Sequence, residues 1–285
     1  MTGARTIVAY ATRESLRRRV FVVVLVLTAV FLGLYGWAVE AVVEGSRVVG
    51  PGGGSVEVDV VAAATLLGLA MFGSLFLGAV LAVFLTLGVV RGDAERGLLQ
   101  PLVVRPVGRA TLLLARLAGA GVIAGAYVAA VFLAAVGITR AFTGWWPDRV
   151  AEPALALAGA VVIVAALSVL GSVFLSSTAN GIAAFMVFGA GLVAGLIGQI
   201  GEVLPSETLE RIGTVGAVAL PFEGLYQSAL AAITADTTGL TGVVVELGPF
   251  GGAREGGAGL AAWALAYLVV VAAGAVAAFA RRDLG

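Results

Sequence analysis

The sequence predicts an all-α integral membrane protein with six transmembrane helices, and three observations predict it. Of its 285 residues, 60% are hydrophobic and only 12% are charged. A soluble fold carries about a quarter of its residues as charges, so this chain cannot cover its own surface against water. Its mean hydropathy is +1.08. Finally, six long apolar stretches recur along it, at 20–39, 61–90, 112–139, 154–175, 181–200 and 259–280. A helix needs about 20 such residues to cross about 30 Å of hydrocarbon. Apart from Arg116 the stretches hold no formal charge, and they are too long and too evenly apolar for membrane β-strands.

The first element is residues 6–19, where Ile7, Tyr10, Ala11 and Leu16 fall near one side and Arg13, Arg17 and Arg18 toward the other. The pattern fits an N-terminal helix lying in the interface, Arg toward anionic headgroups. It fits equally an ordinary basic flank in which Arg17, Arg18 and Arg19 anchor the first span. That span reads as an uncleaved signal-anchor, since no A-x-A cleavage site follows it. The second span, at thirty residues, reaches about 45 Å, so it is expected to tilt or to project from the bilayer. Glycines recur in the later spans, and Gly191 and Gly195 make a small-xxx-small pair. Such a pair serves either a dimer seam or tight packing within one bundle.

Arginine placement sets the orientation. With the N-terminus inside, the cytoplasmic pieces are 1–19, 91–111, 176–180 and 281–285, and Arg116 can snorkel to the same face. Twelve of the seventeen Arg then lie inside with four acids, against five Arg and thirteen acids on the other face. Both termini are expected in the cytoplasm, in a multi-pass protein of the cell membrane.

Two connections are not plain loops. Residues 91–111 are dense in charge, and Leu98, Leu99, Leu102 and Val103 form a short apolar stripe that Pro106 ends. An amphipathic cytoplasmic helix there would dock a soluble partner; the alternative is a loop held at the headgroups by Arg109 and Arg116. The outer connection, 201–258, divides at Pro205 and Pro221. After Pro221, Phe222, Leu225, Tyr226, Ala229, Leu230 and Ile233 repeat at helical spacing. That helix is too short to span, so it should lie in the outer interface or re-enter from the outer side.

Composition also excludes chemistry. With no Cys and no His, thiolate nucleophiles, zinc-thiolate sites, His-ligated metals and His-assisted triads are out. All 17 basic residues are Arg, so no Walker A lysine exists. No catalytic, cofactor-binding or metal residue is expected. The polar groups inside the spans are few and neutral: Thr28, Thr65, Ser74, Thr86, Ser168, Ser172, Asn180 and Gln199. Ion-coupled carriers usually keep a charge there. If the protein moves something, the simplest energy source is a partner that hydrolyses ATP.

Between spans two and three, Asp93, Glu95, Gly97, Leu99, Leu102, Val103, Pro106 and Arg109 follow one another in a familiar order. Leu98 stands where Thr is usual, Arg116 where Lys is usual, and Pro101 is an unexpected residue in the docking helix. Further along come the turn Ser172 to Asn180, the run Leu220-Pro-Phe-Glu-Gly-Leu-Tyr226 and the end Phe279-Ala-Arg-Arg-Asp-Leu284. Over essentially its whole length the chain resembles the permease subunits of bacterial and archaeal ABC transporters of the type-2 exporter class. Its outline is similar to permeases that serve copper-site maturation and to multidrug, antibiotic and lipid exporters.

The resemblance implies a single permease domain over 1–285 that pairs with a second permease, identical or not, in the bilayer. It implies two ATP-binding cassette subunits beneath, holding ATP and Mg, and no nucleic-acid partner. It also implies a coupling helix whose docking surface is Asp93, Glu95, Arg96, Gly97, Leu98, Leu99, Leu102 and Pro106, with Glu95 the best placed for a charge-assisted contact. The substrate path is left unassigned. The rival readings are a non-transporting membrane scaffold or assembly factor, and an ATP-independent carrier or lipid-flipping protein.

Overall fold

A computed structural model describes residues 19–48, 55–87, 89, 108–233, 235 and 254–281. Among them are eight helices and no strand. In chain order these are α1 (Arg19–Val48), α2 (Ser55–Thr86), α3 (Arg109–Thr143), α4 (Ala151–Phe174), α5 (Ser177–Val203), α6 (Glu207–Ala219), α7 (Pro221–Ile233) and α8 (Gly257–Ala280). Six of them, all but α6 and α7, are long and apolar enough to cross a membrane. The expected six-helix frame is therefore present. The expected N-terminal interfacial helix and the coupling helix fall outside the described residues.

Helix ends differ from the sequence reading in every span, and three of the differences have a local cause. The first helix continues nine residues past 39, because Glu40 and Glu44 end an apolar run without ending a helix. The second stops at Thr86, short of 90, and begins at Ser55. A glycine follows at 88, where glycine just past the last periodic residue is a stop signal. The third difference is α5, which starts at Ser177, so that most of the piece expected at 176–180 between spans four and five is its first helical turn. Ser176 caps it, accepting a hydrogen bond from the Ala179 N–H at 3.5 Å.

The bundle is built around α2. Two-thirds of its apolar window (67%) is buried, against 17% for α8 and 22% for α1, so α2 is central and those two are peripheral. α3, α4 and α1 all pack on α2, with Leu67, Met71, Leu75, Val128, Phe132, Leu157 and Val161 in the shared core. Outward faces stay apolar. Trp37, Leu155, Val269 and Val270 are each more than two-thirds exposed. An apolar surface of that extent is untenable in water and ordinary against lipid tails.

Where apolar packing supplies little drive between helices, hydroxyls supply some. Thr28 pairs with Tyr127, and Tyr35 Oη lies 2.5 Å from Thr139 Oγ1. Both contacts join α1 to α3, and their numbers rise together, so the two helices run in the same direction. That is the arrangement up-and-down spans require of the first and third.

α6 and α7 form a hairpin tucked into the bundle. α6 folds back along α5 through glycine contacts: a Cβ on Gly198 would lie 2.9 Å from Gly213 Cα, and one on Gly201 would lie 2.6 Å from the Glu210 nitrogen. The hairpin tip, Leu220–Pro221, reaches Gly191, whose Cβ would sit 3.3 Å from Leu220 Cδ1. Gly191 is twelve residues short of the end of α5, or about 18 Å along its axis. From the tip α7 returns, antiparallel to α2, with Phe72 against Tyr226 at 6.3 Å between rings and Gly68 beneath Leu230. Its last carbonyl, on Ile233, accepts from the Asp148 N–H at 3.2 Å, beside the start of α4.

Twelve of the thirteen residues of α7 are buried. The helix expected after Pro221 is thus present, and it is buried on every side against the other helices. α6 is an element that the apolar pattern does not announce. Its start does carry signals: Pro205, then Ser206 at the N-cap, with Glu207 and Glu210 in the first turn.

Candidate functional site

Polar groups gather where α2 ends and α5 begins. Thr86 Oγ1 donates to Ser168 Oγ at 2.7 Å. From α5, Asn180 Nδ2 donates to the Ser168 carbonyl at 2.9 Å and approaches Ser168 Oγ at 3.4 Å. All three side chains are buried. Gly171 makes the room: a Cβ there would overlap the Asn180 amide, with its Cγ at 3.3 Å. Three helices distant in sequence are joined by one neutral network. Such pairs hold membrane helices in register at modest cost.

Beside this network an apolar groove of about 650 Å³ opens between α2 and α5. Its lining is Phe84 and Leu87 from the end of α2, and Gly181, Ile182, Phe185 and Met186 from α5, with Ser177 and Thr178 at its polar edge. Gly181 sets its width, since a Cβ there would come within 2.9 Å of Leu87 Cδ2. The groove can hold an apolar or amphipathic body. Its described lining offers hydroxyls for orientation and no charge.

In the sequence Thr86, Ser168 and Asn180 are separate neutral residues, and nothing in their spacing shows that they meet. Replacing Asn180 by Ala should lower stability by about 1 kcal/mol, the scale of one interhelical hydrogen bond in a membrane. Thermal unfolding of the chain in lipid nanodiscs measures it, and an unchanged midpoint would mean that the network holds nothing together.

The residues expected to dock a partner, Asp93, Glu95, Arg96, Gly97, Leu98, Leu99, Leu102 and Pro106, lie outside the described residues, as do Arg17 and Arg18. Arg19 opens α1 and Arg109 opens α3. Arg116 is half-buried, two turns into α3. The glycine pair at 191 and 195 serves packing within the chain: Gly191 receives the Phe222 ring and Gly195 the Glu223 carboxyl.

At the other end of the bundle, Arg140 stacks over Trp146 at 4.7 Å, and Arg149 pairs with Glu152 at 3.2 Å on the exposed surface. Among the described residues no group of three or more acidic, His or Cys side chains could hold a metal ion. No protein-family model matches the chain, and no curated protein matches it in sequence.

Proposed function

We propose that the chain is the membrane-spanning permease subunit of an ABC transporter of the exporter class. It would form half of a translocation path and be driven by a separate ATP-binding subunit. The observation that carries the reading is the order and spacing of Asp93, Glu95, Gly97, Leu99, Leu102, Pro106 and Arg109 between the second and third of six membrane-length helices. The absence of acidic and basic residues from the middle of those helices supports it, because a carrier powered by ions needs a charge there. The buried Glu223 carboxyl lies on α7 rather than on one of the membrane-length helices. In this reading energy enters from outside the chain. The 91–111 segment, amphipathic and charged, is the natural place for it to enter.

In this reading the neutral network of Thr86, Ser168 and Asn180 fixes α2, α4 and α5 as one unit beneath the groove. Closure of the ATP-binding pair moves that unit against the second permease. The groove lining favours an apolar or amphipathic cargo.

The test is co-purification in mild detergent with the ATP-binding subunit encoded beside this chain, read as ATPase activity of the complex. Glu95→Arg should lower that activity about tenfold or more, the scale of exchanging one charge-assisted hydrogen bond for a like-charge clash, with expression unchanged. A chain that purifies alone and recruits no ATPase would sink the reading and favour a membrane scaffold.

A further inference from the structure

Glu223 is an anomaly of burial. It is 1% exposed, near the tip of the α6–α7 hairpin and well below the end of α5. Its carboxyl occupies the space that Gly195 leaves by having no side chain; a Cβ there would lie 2.5 Å from Glu223 Cδ. One oxygen accepts a hydrogen bond from the Gln227 amide. The other, Oε2, has no hydrogen-bond partner among the described residues, and neither has the hydroxyl of Tyr226, one turn further along the same face.

Among the described helices around it, countercharge is missing as well. α7 packs on α4, α8, α6, α2 and α5, and the one basic residue on those five helices is Arg211, at an exposed position of α6. Of the acids on them, Glu152 is bonded to Arg149 on the surface, and Glu207 and Glu210 are exposed. Glu202 lies two turns along α5 from Gly195, and Glu57 and Asp59 lie in the first turns of α2, three turns or so from Gly68. Tyr267 of α8 meets Trp263. Among the described side chains, Tyr226 is the titratable group one turn from Glu223, and burial keeps its hydroxyl neutral.

An ionised carboxylate without a cation is strongly disfavoured in such a place, and the group neutralises instead. A neutral carboxyl needs only a modest partner for its O–H, and it can exchange its proton when water reaches it. α6 meets α5 through glycine backbone, with no interlocked side chains between Gly198 and Gly213, and α7 joins α6 at a single turn.

We propose that Glu223 is a proton-binding site: it holds a proton while the α6–α7 hairpin is seated against α5 and releases it when the tip opens to water. The ligand is the proton itself. Seating of the hairpin is thereby linked to pH, whatever powers the rest of the chain, so the proposal stands apart from the permease reading.

The chain contains no cysteine, so single cysteines report seating directly. Ala229, fully buried on α7, and Leu204, 63% exposed before α6, are replaced by Cys in separate full-length variants in nanodiscs. Each is labelled with a small water-soluble maleimide from acid to neutral pH, the range between the ordinary and the folded carboxyl values. The rate at position 229 divided by that at 204 removes the pH dependence of the thiol. That ratio should rise with pH, by up to about tenfold per unit where opening releases the proton, and Glu223→Gln should abolish the rise. Infrared spectra of the parent should show a protonated carboxyl that Glu223→Gln removes. A flat ratio, or an equal rise in Glu223→Gln, overturns the proposal. Should that variant not fold, Gln227→Leu serves: losing the amide that favours the ionised form must move the transition to higher pH, and no movement overturns the proposal.

Discussion

Replacing Gly213 by Ala should destabilise the chain by about 3 kcal/mol, at the upper end of the range for overpacking. A Cβ on Gly213 would overlap Gly198 Cα and come within 3.1 Å of its nitrogen. Each offending atom is backbone inside a helix, so no side chain can rotate away. The only relief is to move α6 off α5, which breaks the hairpin. The reciprocal change, Gly198→Ala, places its Cβ 2.9 Å from Gly213 Cα and should cost a similar amount.

Gly137→Ala is the control. Nothing lies within 4 Å of a Cβ built there, so the better helix propensity of Ala should raise stability by about 0.5–1 kcal/mol. Thermal unfolding in nanodiscs reads all three, with protease access to α6 as a second measure. Equal midpoints for the substitutions at 213 and 137 would mean that the close approach of α5 and α6 does not exist in the membrane.

The contrast between those glycines also marks how far the sequence can be read. Six spans are legible because each is a local property: a window of about 20 apolar residues declares itself without knowledge of its neighbours. The helix after Pro221 is legible for the same reason, through the spacing of Phe222, Leu225, Tyr226, Ala229, Leu230 and Ile233.

What each glycine meets is nonlocal. Gly137 and Gly213 look alike in the sequence, yet one faces open space and the other a backbone. The pair at 191 and 195 fits a seam between two chains as well as it fits Phe222 and Glu223 of its own. The network of Thr86, Ser168 and Asn180 depends on how α2, α4 and α5 are rotated, which no single-helix pattern reports. Glu223 does not declare itself, because a lone acid near a helix start is commonly a solvated first-turn charge. The signal in the sequence is its company, with Tyr226 and Gln227 one turn on, on the stripe that also carries Leu230.

The second large effect expected is on how stability depends on pH. Burial pushes the Glu223 carboxyl from its ordinary 4.5 up to about 7, an effect the Gln227 hydrogen bond partly offsets. Below the ordinary value the folded and unfolded chains both carry the proton, and the full contribution is present. Between the two values only the folded chain keeps it, so rising pH favours unfolding. Above the folded value both forms have lost it, and the loss is complete. The group's contribution should therefore fall by about 3 kcal/mol between pH 4.5 and 7 and be flat on either side.

Exposed acids such as Glu207 and Glu210 titrate in the parent and in Glu223→Gln alike, so the difference between the two chains isolates the buried group. Glu223→Gln should be the more stable of the two above neutral pH, since its amide never has to lose a proton inside the bundle. At acid pH that advantage should vanish. Parallel pH profiles for the two chains would mean that the carboxyl reaches water in the folded state, by way of a path between α5 and α7.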